Sequence, residues 1–365
     1  MSFGTRARIR LGAIQHNLSV IKAAAPGAKV MAVVKANAYG HGLTEVARSL
    51  AGVDSLAVAR LAEAQMLRNA GIDASITLLG GVLSSDDLST ANELDVSVGF
   101  HHEQQIDFAE KAGHRLSSAW LKVDTGMGRL GFRPVDVPDA IDRLGRHVDH
   151  LGILSHFSSA DDLQNSTTAD QLSAFLELIG QFEGPISIAN SAALLGWRDA
   201  LEVLNDYRKQ GRLWIRPGLS LYGISPFPGK TGSDLGLAPA MQLEATLLSV
   251  KRLNAGDRVG YGGTWQATKE TMLGVISGGY GDGYSRFIPS GTPVLVNGRR
   301  VPVAGRISMD LTAVDLGSGA QDEIGDRVVF WGDGLPVEEI AECASTIPYQ
   351  LLCGVTHRES PIYID

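Results

Sequence analysis

Short apolar runs recur through the first part of the chain, with amphipathic stretches between them. The runs fall at residues 29–35, 55–60, 76–80, 96–100, 119–124, 151–157, 186–190 and 213–218. The intervals include 44–50, 62–70, 104–112 and 169–181, which carry the helical period. Eight runs roughly 20–35 residues apart have the spacing of repeated strand–helix units. They predict an α/β fold, a parallel (β/α)8 barrel. An open doubly wound sheet is the runner-up, but no Gly-x-Gly-x-x-Gly turn follows an early strand.

The pattern changes after the eighth run. Ser225-Pro-Phe-Pro-Gly-Lys-Thr-Gly is a linker of breakers. Beyond it the runs crowd together at 243–250, 271–277, 293–297, 312–315 and 327–331, with glycine turns between them. Asn297-Gly298 reads as a hairpin turn, and a helix is expected near 337–344. The expectation is therefore two domains: a barrel over 1–235 and an all-β domain over 236–365. The segment 7–11 precedes the first barrel strand and can pair with the second domain.

Composition narrows the class. The chain has 365 residues, 44% hydrophobic and 20% charged, as expected of a globular protein larger than one ordinary domain. A net charge of −8 offers no basic footprint for nucleic acid and no attraction to an anionic membrane. No apolar run approaches the roughly 20 residues of a membrane span. The opening MSFGTRARIRLGAIQHN lacks an apolar core of signal-peptide length. Cys343 and Cys353 are too few for a disulfide framework. The expected location is the cytoplasm.

The first apolar run delivers Lys35 into a loop of small residues, Ala36-Asn-Ala-Tyr-Gly-His-Gly. A lysine there is costly to bury as a cation, and its neutral amine is a nucleophile. A Schiff-base site fits, and so does a lysine snorkelling from a strand end. In a barrel, active residues sit at the C-terminal strand ends. Those ends carry Lys122 and Arg129, then His156, then Asn190 and Ser191, then Arg216, Gly218 and Leu219. The loops after strands seven and eight of a barrel are its usual phosphate site. Ser191 offers a hydroxyl there, and Gly218 and Leu219 offer backbone N–H groups.

The stretch AVVKANAYGHG resembles the pyridoxal-phosphate lysine motif of alanine racemases, and the resemblance continues to residue 358. It implies that Lys35 bonds the cofactor, pyridoxal 5′-phosphate, and that Tyr39, Ser191, Gly218 and Leu219 hold its phosphate, beside Asn190. Arg216 falls at the ring nitrogen; a guanidinium does not lose its proton, so that nitrogen would stay unprotonated and the ring a weak electron sink. His156 resembles the histidine packed on the ring. Arg129 resembles the residue that contacts the phenolic oxygen and the substrate carboxylate, for which its fork is suited. Lys122 matches a lysine that is often carbamylated; a plain ammonium with its tip in solvent is the other reading.

In the second domain, Val259-Gly-Tyr-Gly-Gly-Thr-Trp places Tyr261 at the family's second catalytic base. Gly279-Tyr-Gly-Asp-Gly-Tyr points to Tyr280 at the entrance. Gly305-Arg-Ile-Ser-Met-Asp points to Met309, whose N–H meets the substrate carboxylate, with Arg306 and Asp310 lining the entrance. Two departures stand out. A phosphate-binding tyrosine near the C-terminus is replaced at His357, and a histidine that can pair with the ring-nitrogen arginine is replaced by Ser187, so Arg216 is expected to lose that partner. The resemblance implies interconversion of L- and D-alanine by two bases, in a homodimer with shared sites and no metal. A racemase or decarboxylase for another amino acid, such as serine, is the alternative on the same fold. A non-catalytic cofactor carrier is the alternative of another class, but such single-domain barrels lack a second domain.

Overall fold

The structure is a computed structural model, and it describes residues 4–356, 358 and 360–365. Eight parallel strands close a barrel: β2 (Lys29–Val33), β3 (Ser55–Val58), β4 (Ile76–Leu78), β5 (Val96–Phe100), β6 (Leu116–Lys122), β7 (Val148–Leu154), β8 (Ile186–Asn190) and β9 (Leu213–Arg216). The ring closes where Val30 of β2 pairs with Ile215 of β9. Most of these strands are buried along nearly their whole length, because helices cover the outside and side chains fill the interior. The sequence runs anticipate all eight strands. The first ends sooner than its apolar run: β2 stops at Val33, leaving Lys35 two residues past the last strand residue.

Strand β1 (Arg6–Arg10) precedes the barrel in sequence but does not belong to it. Its alternation buries Ala7 and Ile9 and turns the arginines outward. It pairs antiparallel with β10 (Met241–Leu253), with Ala7 opposite Leu243. It pairs parallel with β18 (Ile362–Ile364) on its other side.

The remaining strands are β11 (Arg258–Val259), β12 (Trp265–Gln266), β13 (Thr271–Ser277), β14 (Pro293–Val296), β15 (Arg299–Pro302), β16 (Leu311–Gly317) and β17 (Arg327–Trp331). The long strand β10 organises them. Its first half pairs with β1 and β17; past a bulge at Leu247/Ser249 its second half pairs with β13. The Asn297-Gly298 turn joins β14 to β15 with φ of 50° and 80°, the left-handed geometry a two-residue hairpin requires. Two helices follow where one was expected. Val337–Cys343 is succeeded by Pro348–Gly354, where Pro348 sits in the first turn, a position that needs no N–H donor. The second helix packs on the turn that follows β2. No helix among the described residues is long and apolar enough to cross a membrane.

Candidate active site

The C-terminal ends of the barrel strands open into a cavity of about 990 Å³. Lys35 stands at its edge, on an unusual piece of backbone. Ala36, Asn37, Ala38 and Tyr39 all have φ between 52° and 55°, one turn of left-handed helix built without glycine. Such a conformation costs an L-residue roughly 1–2 kcal/mol, so the surroundings must fix it. Ala38 N–H donates to Val34 O (2.8 Å), and Leu43 N–H donates to Asn37 Oδ1 (2.8 Å). His41, fully buried, closes the turn from below, with Nδ1 2.9 Å from Tyr39 O and 3.0 Å from Ala38 O. Ala36 N–H donates to Glu63 Oε1 (2.7 Å). Gly40 leaves the turn at φ 81°, and a Cβ there would meet the carbonyl of Leu352 at 2.2 Å. The segment read in the sequence as a small-residue loop is thus a strained, heavily bonded turn clamped under helix Pro348–Gly354.

The cavity floor is cationic. Lys35, Lys122, Arg129 and Arg216 all line it, with His156 among them. Burial holds the Lys35 amine below its usual range, helped by the positive charge of Arg129 and Arg216; Glu63 and Cys353 act in the opposite sense. Lys122 is pushed down to about 8 by burial, then by Arg216, Arg129 and Lys35. Lys122 is half-buried and lines the cavity. His156 is pushed down to about 3 by burial and the neighbouring cations, so its ring is neutral. Arg216 is lowered by burial to about 10 and remains a cation at neutral pH. Its guanidinium donates to Ser187 Oγ (2.5 Å) and to Ser155 O, and lies 3.3 Å from His156 Nδ1. The expectation that Arg216 loses a partner where histidine gives way to Ser187 is therefore corrected. The serine hydroxyl accepts from the guanidinium and donates to Trp214 O (2.8 Å), which links β8 to β9.

A polar cradle lies beside this floor. Ser191 Oγ receives the Gly218 N–H (2.9 Å), the Ser220 N–H (3.3 Å) and the Ser220 hydroxyl (2.9 Å). Asn190 caps the short helix Ser191–Gly196 by accepting from Ala193 N–H (3.0 Å). A Cβ on Gly218 would stand 2.6 Å from the Tyr39 hydroxyl, so only glycine lets that phenol approach the strand end. Tyr39 packs on Tyr222 and Tyr349, with ring centroids 4.8 and 5.8 Å apart. Leu219 is buried at the start of the next turn and lines the same cavity. The sequence reading missed Ser220, Glu63 and Tyr349. Ser220 directly follows the Gly218-Leu219 pair, whereas Glu63 and Tyr349 lie outside every strand-end motif and reach the site region only through the fold.

The remaining candidates lie elsewhere. Tyr261 is 62% exposed, Met309 54% and Tyr280 38%, and none of them lines the cavity of its own chain. They form one surface on the second domain. Tyr280 N–H donates to Ser308 O (3.0 Å), and Gly281 N–H donates to Met309 O (2.8 Å). The Arg306 guanidinium lies by the Tyr261–Gly263 turn, at 3.5 Å from where a Gly262 Cβ would stand. Asp310 accepts from Arg358 (2.7 Å). His357 lies outside the described residues.

Residues 9–226 match the model of the alanine racemase N-terminal domain, and residues 240–363 match that of the C-terminal domain. The chain belongs to the alanine racemase family. It is 46% identical to the alanine racemase of Aeromonas hydrophila over 362 residues, 98% of this chain and 99% of that one. Identity to the alanine racemase of Vibrio cholerae is also 46%, over 98% and 97% of the two chains. The crystal structure of the biosynthetic alanine racemase from Pseudomonas aeruginosa superposes with a TM-score of 0.93 at 40% identity, covering 100% of both chains. The alanine racemase from Bartonella henselae, with covalently bound pyridoxal phosphate, superposes at 0.88 with 28% identity, also over 100% of both chains. Alanine racemases are isomerases that use this cofactor. The residues present here fit it: a cationic floor for an anion, a cradle at Gly218 that a Cβ would fill, and a lysine held below its usual range.

Proposed function

We propose that this protein interconverts L- and D-alanine, with Lys35 as one base and Tyr261 of the partner subunit as the other. The observation that carries the reading is the convergence of Lys35, Arg216 and the Ser191–Gly218 cradle on one cavity. Pyridoxal phosphate, when bound, supplies delocalisation for the electrons left when the α-proton departs. Every other part belongs to the chain. Ser191, Gly218, Leu219 and Tyr39 would hold the phosphate, and Asn190 would support them. Arg216, a cation at neutral pH, would face the ring nitrogen and keep a proton off it, which weakens the sink and favours return of the α-proton. Neutral His156 would pack on the ring without adding charge. Arg129, with the backbone N–H of Met309, would hold the substrate carboxylate.

Lys35 and Tyr261 then work as a pair on opposite faces of the substrate. One removes the α-proton and the other returns one to the opposite face, each serving one enantiomer. A lysine amine held below its usual range is suited to take a proton near neutral pH. Tyr280, Arg306 and Asp310 would form the entrance. A head-to-tail dimer, in which the β domain over 236–365 covers the partner's barrel over 1–235, would bring the Tyr261 surface to the cavity mouth. We read Lys122 as a site of carbamylation: an amine lowered to about 8 has a reactive neutral fraction, and a carbamate would turn a repelling cation into a partner for Arg129. The cytoplasmic location read from the sequence belongs to the same proposal.

The deciding experiment is an absorbance spectrum of the purified protein with its cofactor, followed by borohydride reduction, peptide mapping and an assay for D-alanine from L-alanine. The label should fall on Lys35 and D-alanine should accumulate. A label on another lysine, or turnover of serine in preference to alanine, overturns the assignment.

A further inference from the structure

Glu63 lies outside every motif read in the sequence, on the helix Leu61–Asn69 that follows β3. Its two oxygens do different things. Oε2 accepts from Ala59 N–H (2.8 Å) and Arg60 N–H (3.0 Å), the work of an ordinary helix N-terminus. Oε1 leaves its own strand–helix unit and accepts from Ala36 N–H (2.7 Å), the first peptide after Lys35. A cap would be complete with one oxygen; the second is spent on the neighbouring unit, where the left-handed turn begins. The groups acting on Lys35 are Arg129, Arg216, Cys353 and Glu63, with Lys122 also within electrostatic reach, and Glu63 is the carboxylate among them.

We propose that Glu63 is a positioning residue for Lys35: through the hydrogen bond from Ala36 N–H it pins the backbone at the entry to the left-handed turn, and so fixes where the Lys35 amine stands among the cations of the floor. Removing that hydrogen bond moves the Lys35 side chain relative to the cradle at Ser191 and Gly218, and removing the Glu63 charge leaves the amine holding its proton less readily. The proposal builds on Lys35 as the cofactor lysine, but Lys35 can be read directly.

The test is competitive labelling of the cofactor-free protein with an amine-reactive reagent across pH, read at Lys35 by peptide mass spectrometry. Glu63→Gln removes the charge and replaces one accepting oxygen by a donor. The Lys35 labelling midpoint should move to lower pH, while circular dichroism stays that of wild type. Ser84→Ala is the control, because Ser84 caps the helix Ser85–Glu93 of a nearby unit by accepting from Asp87 N–H (3.0 Å). It should lower thermal stability and leave the Lys35 midpoint where it was. A folded Glu63→Gln protein with the wild-type midpoint, or an equal shift in Ser84→Ala, reduces Glu63 to a cap and overturns the proposal. If Glu63→Gln does not fold, Glu63→Asp decides: it keeps the charge but not the reach. Uptake of pyridoxal phosphate onto Lys35, trapped with borohydride, should slow roughly 10- to 100-fold, in line with the cost of a misplaced reacting group. Uptake at the wild-type rate overturns it. Absence of borohydride-trapped pyridoxal phosphate on wild-type Lys35 would count against the racemase reading, and the amine-labelling midpoints of the cofactor-free protein would still decide the role of Glu63.

Discussion

Arg216 and Tyr261 show how much one side chain depends on what surrounds it. Arg216 is a buried cation whose hydrogen-bond partners are a hydroxyl, carbonyls and a neutral imidazole, so its charge is solvated but not neutralised. That leaves a positive field on the floor, where an anionic cofactor belongs. Tyr261 stands on the opposite footing, exposed on its own chain with nothing in the barrel to act upon. If it is a base for one enantiomer only, Tyr261→Phe should slow α-hydrogen exchange of that enantiomer by roughly 100- to 10,000-fold. Exchange of the other should fall far less. Isotope exchange from each alanine enantiomer in deuterated water checks this, and equal small losses would make Tyr261 a packing residue.

At the scale of an element, the left-handed turn after β2 holds stored strain that its neighbours offset. Gly40 is one place to test the balance. Gly40→Ala must adopt φ 81° with a side chain and push against Leu352 O. We expect a loss of about 2–4 kcal/mol, combining strain with the displaced helix, and a larger loss of cofactor affinity than of global stability. Chemical denaturation beside cofactor titration would separate the two. His41 gives the same turn a pH dependence. Burial holds its imidazole down to about 4 from the ordinary 6.5, although its contacts with Tyr39 O and Ala38 O pull the other way. The unfolded chain therefore binds the proton first, and stability rises with pH between about 4 and 6.5 and falls as pH drops through that window. Each pH unit of that gap is worth about 1.4 kcal/mol, so His41 should withdraw about 3 kcal/mol by pH 4. His156, lowered to about 3, acts in the same direction. Urea midpoints at pH 7 and pH 4.5 should differ less in His41→Asn than in wild type.

For the whole molecule, the separation of Lys35 from Tyr261 has a counting consequence. Neither Lys35→Ala nor Tyr261→Phe should support full racemisation alone. If each site draws Lys35 from one chain and Tyr261 from the other, a mixed dimer has one intact site and one doubly defective site. Random equal mixing makes about half the dimers mixed, so roughly a quarter of wild-type sites should return. Mixed dimers shown to form by mass spectrometry, yet no more active than their parents, would rule out shared sites.

The sequence by itself determined the elements and the register of chemistry upon them. Apolar runs at barrel spacing, breakers after residue 224 and the Asn297-Gly298 turn are local signals, and each appears where it was read. Lys35, Lys122, Arg129, His156, Asn190, Ser191, Arg216, Gly218 and Leu219 share one cavity because barrel topology gathers strand ends, a rule that acts on sequence position alone. What tertiary structure decided is everything that joins one unit to another. Ser187 replaces a lost partner of Arg216 because β8 and β9 are adjacent. The left-handed turn stands where its small residues suggested a loop, since contacts from Glu63, His41 and helix Pro348–Gly354 add to its own hydrogen bonds to hold four positive φ values. The first strand leaves the barrel for the far domain because its hydrogen bonds are completed there by β10 and β18. Hydrophobic period and turn chemistry are read from neighbours along the chain, whereas strain, partner choice and the protonation of a buried amine are fixed by neighbours in space.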